Sequence, residues 1–248
     1  MKAAGSAKIV LHVSLSGASS ENGSPTSFSE RGSGAFDFAH RRGTMSMTIS
    51  GLPSTSAASG QATIRIVVDG PVIYEKLPPG ALGEQAPKPW IKFDLSRTPL
   101  GALAGGDPSS ADPTEALALL GATSPPTDVG RDTVRGVTCR HYRTTVDLAK
   151  VVSALPADTR DELAAVGKAF ESRTFPVDVW IDDAGRLRKM TFTARLTPAS
   201  VGASSGAAPT MTETVEYFDF GTPVRLSLPP AGQVTDISGL LATPTPTP

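Results

Sequence analysis

Cys139 and His141 are the residues of this sequence that could form a nucleophile and base pair, because they stand two apart in the segment TCRHY. Side chains two residues apart in a strand point to the same face, so the imidazole could take the thiol proton. No third residue that would orient the imidazole stands out, and a lone strand cysteine is more often a small buried residue. We therefore expect no catalytic residues, and an enzyme built on this pair is our third hypothesis.

Metal and cofactor chemistry has few residues to build on. The chain has 3 His and 1 Cys, without the HExxH spacing or the clustered cysteines of zinc sites. Asp182 and Asp183 precede Gly185, but the acidic spacing of a calcium loop is missing, so this segment predicts a hairpin turn. The Gly-containing loops lack the Lys-Ser/Thr context of a phosphate cradle. The sequence predicts neither a metal nor a cofactor.

Charge and composition exclude further classes of function. A net charge of -1 and a pI near 6.3 give no basic field for nucleic acid or for a polybasic membrane contact. No run of about 18 apolar residues is present, and the amino-terminal segment lacks a signal peptide's apolar core. That segment leads almost directly into a strand. We therefore expect that Met1 replaces a targeting segment of the precursor.

The pattern of apolar residues predicts strands over most of the chain. In residues 7–17, Ile9, Leu11, Val13 and Leu15 alternate with polar residues, which is typical of a half-buried strand. Similar alternation follows as far as residue 95 and again after residue 130, with turns at His40–Gly43 and Asp69-Gly70. The hairpin at 175–195 puts Val177, Val179 and Ile181 on one face and Asp178, Trp180 and Asp182 on the other. We expect the Trp180 face to meet a loop or a chain end.

Helices are predicted only in the middle of the chain. Residues 112–121 combine Asp112 as a cap, Pro113 in the first turn and Gly121 as a stop. Residues 147–156 and 158–170 carry apolar stripes at helical spacing. The pattern predicts an α+β fold of about ten antiparallel strands with two or three inserted helices, in one domain over residues 1–240. Residues 241–248 form a Pro/Thr-rich tail that we expect to be disordered.

The second half of the chain resembles the LppX/LprAFG lipoproteins of actinobacteria, which belong to the LolA-like superfamily. The matching features are Gly130, Asp132 and Gly136, a helical insertion, the strand PVDVWI at 176–181, and a closing strand that ends in Pro229-Pro230. The order and spacing of these features agree over roughly the last 110 residues, whereas the first half matches only in its strand pattern. The resemblance lies in the order of the features rather than in one diagnostic motif.

This resemblance implies a curved antiparallel sheet, a half-barrel, wrapped around the helices and holding acyl chains of lipids or glycolipids between sheet and helices. It also implies a secreted, extracytoplasmic carrier in lipid transport, attached to the cell membrane through an acylated N-terminal cysteine that this sequence lacks. Cys139 lies in mid-chain and cannot take that role.

Candidate contacts of such a ligand are the apolar residues of the predicted helices and of the strand after them. They are Leu117, Leu120, Val151, Leu155, Leu163, Val166, Phe170, Val177, Val179 and Ile181. Burial of each ligand methylene contributes about 0.8 kcal/mol, so tight binding needs no polar motif. The alternative is an envelope sensor or protein-interaction module on the same scaffold, with a filled core, a protein partner and no ligand.

Overall fold

The structure is a computed structural model, and its fold is dominated by one β-sheet. The residues that it describes are 5–19, 25–51, 60–78, 88–97, 124–153, 167–201 and 208–238. The predicted helix at 112–121, most of the predicted helix at 158–170 and the tail at 241–248 lie outside these residues.

All strands of the described residues join one twelve-stranded sheet. The strands in chain order are β1 (Ser6–Ser19), β2 (Pro25–Asp37), β3 (Arg42–Ser50), β4 (Gln61–Asp69), β5 (Val72–Lys76), β6 (Trp90–Asp94), β7 (Thr127–Val134), β8 (Val137–Asp147), β9 (Thr174–Asp182), β10 (Leu187–Arg195), β11 (Thr210–Phe218) and β12 (Val234–Asp236). Short 3₁₀ turns occupy Leu95–Arg97, Pro198–Val201 and Ala231–Gln233, and one α-helix, α1, covers Leu148–Ser153.

The sheet is open and curved, with the order β12-β6-β5-β4-β3-β2-β1-β11-β10-β9-β8-β7. Neighbours are antiparallel except β12, which runs parallel to β6. The long strands β1 and β11 pair from Lys8 with Phe218 to Ser16 with Thr210, and this pairing joins the two halves of the chain. The meander of the first half and the hairpins of the second half therefore form one continuous surface.

The predicted counts of strands and helices differ from the structure. The described residues contain twelve strands rather than about ten, and one α-helix of six residues. The start of β2 is rich in Ser and Thr and lacks alternation, and the three-residue β12 follows a Pro-rich segment, so neither carries a periodic signal. Pairing with neighbouring strands decides both elements, which local pattern cannot show.

Two hairpin turns fall where the sequence predicts them. The turn between β2 and β3 includes Arg41, and the turn between β9 and β10 is closed by a hydrogen bond from Gly185 N to Asp182 O, 2.9 Å. Gly185 has a φ of 72°, which a side chain would disfavour. This hairpin pairs Met190 with Val179 and Phe192 with Val177, so the apolar residues of both strands lie on the same face.

Candidate functional site

One face of the sheet, the apolar face, carries mainly apolar side chains from β5 through β1 to β9. Leu11 of β1 lies opposite Val215 of β11 on one side and Gly32 of β2 on the other. Residues directly opposite in neighbouring strands share a face, so the register defines the whole surface. Its members include Ala7, Ile9, Leu11, Val13, Leu15, Met45, Met47, Ile49, Ile64, Ile66, Val68, Ile73, Phe175, Val177, Val179, Ile181, Met190, Phe192, Ala194, Met211, Val215 and Tyr217.

Burial divides the apolar face into two regions. Around β9, β11 and the start of β1 its side chains are core, with Val177 2% exposed and Tyr217 6% exposed. On β3 and β4, in contrast, every apolar-face side chain from Met45 to Ile49 and from Ile64 to Val68 is only partly buried. The region of β1 to β5 thus keeps apolar side chains in reach of a further partner.

Two glycines of β2, Gly32 and Gly34, leave the apolar face without side chains between β1 and β3. A Cβ at Gly32 would lie 3.1 Å from Met45 Sδ and 3.4 Å from Leu11 Cβ, so neighbouring side chains lean over the glycine. Methionine is flexible and adapts to irregular apolar shapes. This part of the face can change its shape at little cost.

Three carboxyls lie on the apolar face. Glu30 and Glu213 sit opposite Val13 from the two sides, and Glu75 lies opposite Ile66. Burial raises the pKa of each of the three, and the charge of Glu30 adds to the effect at Glu213. No lysine or arginine shares this face on β1 to β5 or on β11, as the register of these described strands shows.

A small cavity lies beside α1, at the end of the sheet where β8 ends and β9 begins. Its volume is about 110 Å³, and it is lined by Leu148, Ala149, Val152, Gly167 and Arg173. The backbone N–H of Leu148 donates to the carbonyl of Arg173, 2.8 Å, which ties the start of α1 to the start of β9. The cavity is smaller than the roughly 150 Å³ that admits benzene, so it can take only a short alkyl group.

An aromatic series leads from this end of the sheet onto the apolar face. Phe170 packs edge-on against Phe175 with ring centroids 4.9 Å apart, and Phe175 packs against Phe192 at 5.3 Å. Phe170 itself forms an isolated bridge with Leu196 instead of lying in a helix. The predicted helical stripe therefore ends before Phe170.

The predicted ligand contacts fall into three groups. Leu117, Leu120, Leu155, Leu163 and Val166 lie outside the described residues, and for Val151 the structure describes only the backbone, within α1. Val177 and Val179 are buried core residues, while Ile181 is half-buried on the same face. Leu148 and Val152, which line the cavity, belong to the same predicted helical stripe as Val151.

The opposite face of β7 to β11, the polar face, holds a network centred on Trp180. The indole Nε1 donates to Asp132 Oδ2, 2.9 Å, the His141 ring stacks on Trp180 at 4.2 Å, and Lys189 Nζ lies 4.4 Å from the indole centroid. Within the described residues, Trp180 thus contacts side chains of the adjacent strands, whereas the sequence predicts a loop or a chain end there.

A buried acid fixes the turn between β9 and β10. Asp182, with its side chain 3% exposed, accepts hydrogen bonds from Arg186 Nε at 2.9 Å and from Arg188 Nε at 2.7 Å. Burial alone would raise the pKa of Asp182, but hydrogen bonds from the Arg186 backbone and from both guanidinium groups outweigh it and lower the pKa. This acid stabilises the hairpin, which positions the apolar residues of both strands.

Cys139 and His141 lack the properties of a catalytic pair. Cys139 is 1% exposed, and burial, together with the charge of Asp182, raises the pKa of its thiol. His141 Nε2 lies 2.5 Å from Asp178 Oδ1, and the imidazole is covered by Trp180. A buried thiol with a raised pKa carries little thiolate, which is the form that attacks substrates.

The described residues hold neither a cluster of metal ligands nor a helix that could span a membrane. They contain no group of three or more His, Cys, Asp or Glu side chains that could hold a metal ion. None of their helices is long and apolar enough to cross a membrane.

Comparison with known proteins gives matches in sequence and in structure. No family model matches the chain. A curated relative, described as an uncharacterized 31.2 kDa protein in the rplA-rplJ intergenic region of Streptomyces griseus, is 24% identical over 221 residues, which cover 84% of this chain. The chain spans 66% of the length of that relative.

The solved structures that match are LprF from Mycobacterium bovis and the lipoprotein LppX from Mycobacterium tuberculosis. LprF aligns with a TM-score of 0.42 and 13% identity over 91% of this chain and 90% of its own. LppX aligns with a TM-score of 0.43 and 12% identity over 88% and 89%. The chain resembles LppX and LprF.

Proposed function

We propose that this protein is a non-enzymatic lipid-binding domain of a cell-envelope lipoprotein, a carrier that holds acyl chains against the apolar face. The observation that supports this proposal is the region of β1 to β5, where a continuous set of apolar side chains is only partly buried. An acyl chain laid across these strands would remove that surface from water. The candidate contacts on the predicted helices would cover the chain from the other side.

Energetics favour a ligand without a polar anchor. At about 0.8 kcal/mol for each buried methylene, about ten methylenes contribute about 8 kcal/mol, which corresponds to a Kd of about 1 μM before the cost of association is subtracted. A longer or a second acyl chain would supply tighter binding. The cavity beside α1 would take only a chain end, so the apolar face would carry most of the contact. The adaptable region around Gly32, Met45 and Met47 suits chains of different length and branching.

The test compares two lysine substitutions on neighbouring residues of β3. Met47→Lys places an ammonium group on the apolar face, whereas Ser46→Lys places the same group on the exposed opposite face. We expect wild type and Ser46→Lys to bind a fluorescent long-chain fatty acid, and Met47→Lys to bind it roughly tenfold more weakly, the loss of contact with about two methylenes.

Native mass spectrometry of gently purified protein gives a second readout. The proposal predicts co-purified lipid or uptake of added lipid by the wild type. If the wild type neither carries nor binds any hydrophobic probe, the lipid carrier is the wrong function. The sensor or interaction module with a filled core then becomes the better hypothesis.

A further inference from the structure

The cavity beside α1 combines an apolar wall with one cationic side chain. Leu148, Ala149 and Val152 provide alkyl surface, and Arg173 lines the same space. Arg173 is exposed, and its guanidinium makes no hydrogen bond or ion pair within the part of the chain that the structure describes. An alkyl wall beside a free guanidinium matches a ligand with an alkyl segment next to an anionic group.

The nearest acid in sequence does not neutralise this arginine. Glu171 lies two residues before Arg173, and its carboxylate accepts a hydrogen bond from Arg195 Nε at 2.9 Å. Lys168 is exposed on the other side of Glu171. One carboxylate does lie at the start of α1, where Asp147 Oδ1 accepts a hydrogen bond from the backbone N–H of Ala149, 2.9 Å. Among the described residues near the cavity, Arg173 and Lys168 together outnumber this acid.

Fixed charges on the apolar face have the opposite sign. Glu30 and Glu213 flank Val13, and Glu75 lies farther along the sheet on β5. An anionic group placed over β1 and β2 would be repelled there and attracted at Arg173, so the two regions together favour one orientation of an amphiphile.

We propose that Arg173 and the cavity beside α1 form a subsite for the carboxylate end of a long-chain fatty acid, whose tail extends along the half-buried Phe170 and Phe192 onto the apolar face. The first carbons of the chain occupy the alkyl wall, and the carboxylate pairs with the guanidinium. This inference rests on the proposed function for the tail and adds the chemical class of the head.

The experiment compares dodecanoate with dodecanol, two probes that share a tail and differ in the head group. Isothermal titration calorimetry on the full chain at low salt should show that wild type binds dodecanoate about fivefold more tightly than dodecanol, the size of an exposed ion pair. Because such a pair is screened by ions, the preference should shrink in about 0.5 M salt.

Arg173→Gln removes the charge and keeps a side chain of similar polarity. It should bring the two affinities together by weakening dodecanoate binding and leaving dodecanol binding unchanged. Arg225→Gln is the matched control, because Arg225 is also exposed and lies outside the cavity. It should keep the wild-type preference.

A second variant tests the cavity itself. A Cβ at Gly167 would lie 3.1 Å from Leu148 Cδ2, so Gly167→Leu fills the space. It should weaken dodecanoate binding by at least the same factor, with circular dichroism used to check the fold.

The outcomes separate the two proposals. Equal affinities of wild type for both probes, or an unchanged preference in Arg173→Gln, overturn the carboxylate subsite and leave the lipid carrier intact. Failure of both probes to bind overturns the lipid carrier.

Discussion

At the scale of single residues, the carboxyls of the apolar face carry the clearest electrostatic cost. Glu213 and Glu30 flank Val13 without a hydrogen bond or ion pair in the described part of the chain, and both have a raised pKa because burial disfavours the charged form. A folded protein that holds such groups binds more protons than the unfolded chain above the ordinary glutamate pKa of 4.5. Stability contributed by these groups therefore falls as pH rises from that value.

Glu213→Gln should stabilise the protein at about pH 7 and have little effect at about pH 3.5, where the carboxyl is protonated in both states. The reason is that the amide keeps the shape of the side chain and removes the charge. Urea denaturation at the two pH values measures the difference. Glu216→Gln on the same strand is the control, because Glu216 pairs with Arg135 Nε at 2.6 Å on the polar face, and its loss should not stabilise. Equal effects of Glu213→Gln at both pH values would contradict this account.

The acids of the polar face behave in the opposite way. Asp182 and Asp132 have lowered pKa values, through hydrogen bonds from Arg186 and Arg188 and from Thr133 and Trp180. Their contribution is present above the ordinary aspartate pKa of 3.8 and is lost as pH falls below it. The acids of the apolar face therefore contribute more stability at low pH, whereas Asp182 and Asp132 on the polar face contribute more at neutral pH.

At the scale of elements, β2 is the strand whose sequence and structure agree least. Its Ser-rich first half has no alternation, yet the strand, 13 residues long, pairs with β1 on one side and with β3 on the other. Glycine is required at one position by close backbone approach: a Cβ at Gly34 would lie 2.1 Å from the carbonyl oxygen of Thr44. Sequence alone cannot reveal this need, because the contact belongs to the neighbouring strand.

Gly34→Ala should destabilise the protein by about 3 kcal/mol, since β2 and β3 must separate to admit the methyl group. Gly32→Ala is the matched control on the same strand and face. Its Cβ would meet Met45 Sδ at 3.1 Å and Met47 Cγ at 3.2 Å, which belong to flexible side chains rather than to the backbone. Urea denaturation of both variants checks the difference. An equal loss of unfolding free energy in the two variants would contradict this account, because the cost would then come from the replacement of glycine itself and not from the Thr44 contact.

At the scale of the whole molecule, the open sheet has one face of partly buried apolar residues that folding alone does not fully remove from water. A ligand that binds only the folded state raises the free energy of unfolding by mass action. The size of that shift tests whether the apolar face acts as one binding surface.

A long-chain fatty acid at about one hundred times its Kd should stabilise the fold by about 2.7 kcal/mol, which for a chain of this size corresponds to a Tm increase of roughly 5 to 10 °C. Differential scanning calorimetry measures the shift. Ser46→Lys should keep it, and Met47→Lys, with its roughly tenfold weaker binding, should lose about half of it at the same ligand concentration. A shift of equal size in both variants would place the ligand away from β3.

The sequence by itself determined the alternation that separates the apolar from the polar face and the turn at Asp183 to Gly185. Such features are local, because side-chain period and turn chemistry depend on neighbouring positions. Tertiary structure decided which strands meet. It placed Glu30 and Glu213 on both sides of Val13, put Trp180 between His141 and Lys189, and set Arg173 beside α1. These residues are far apart in the chain, and only the pairing of distant strands gives them a common environment.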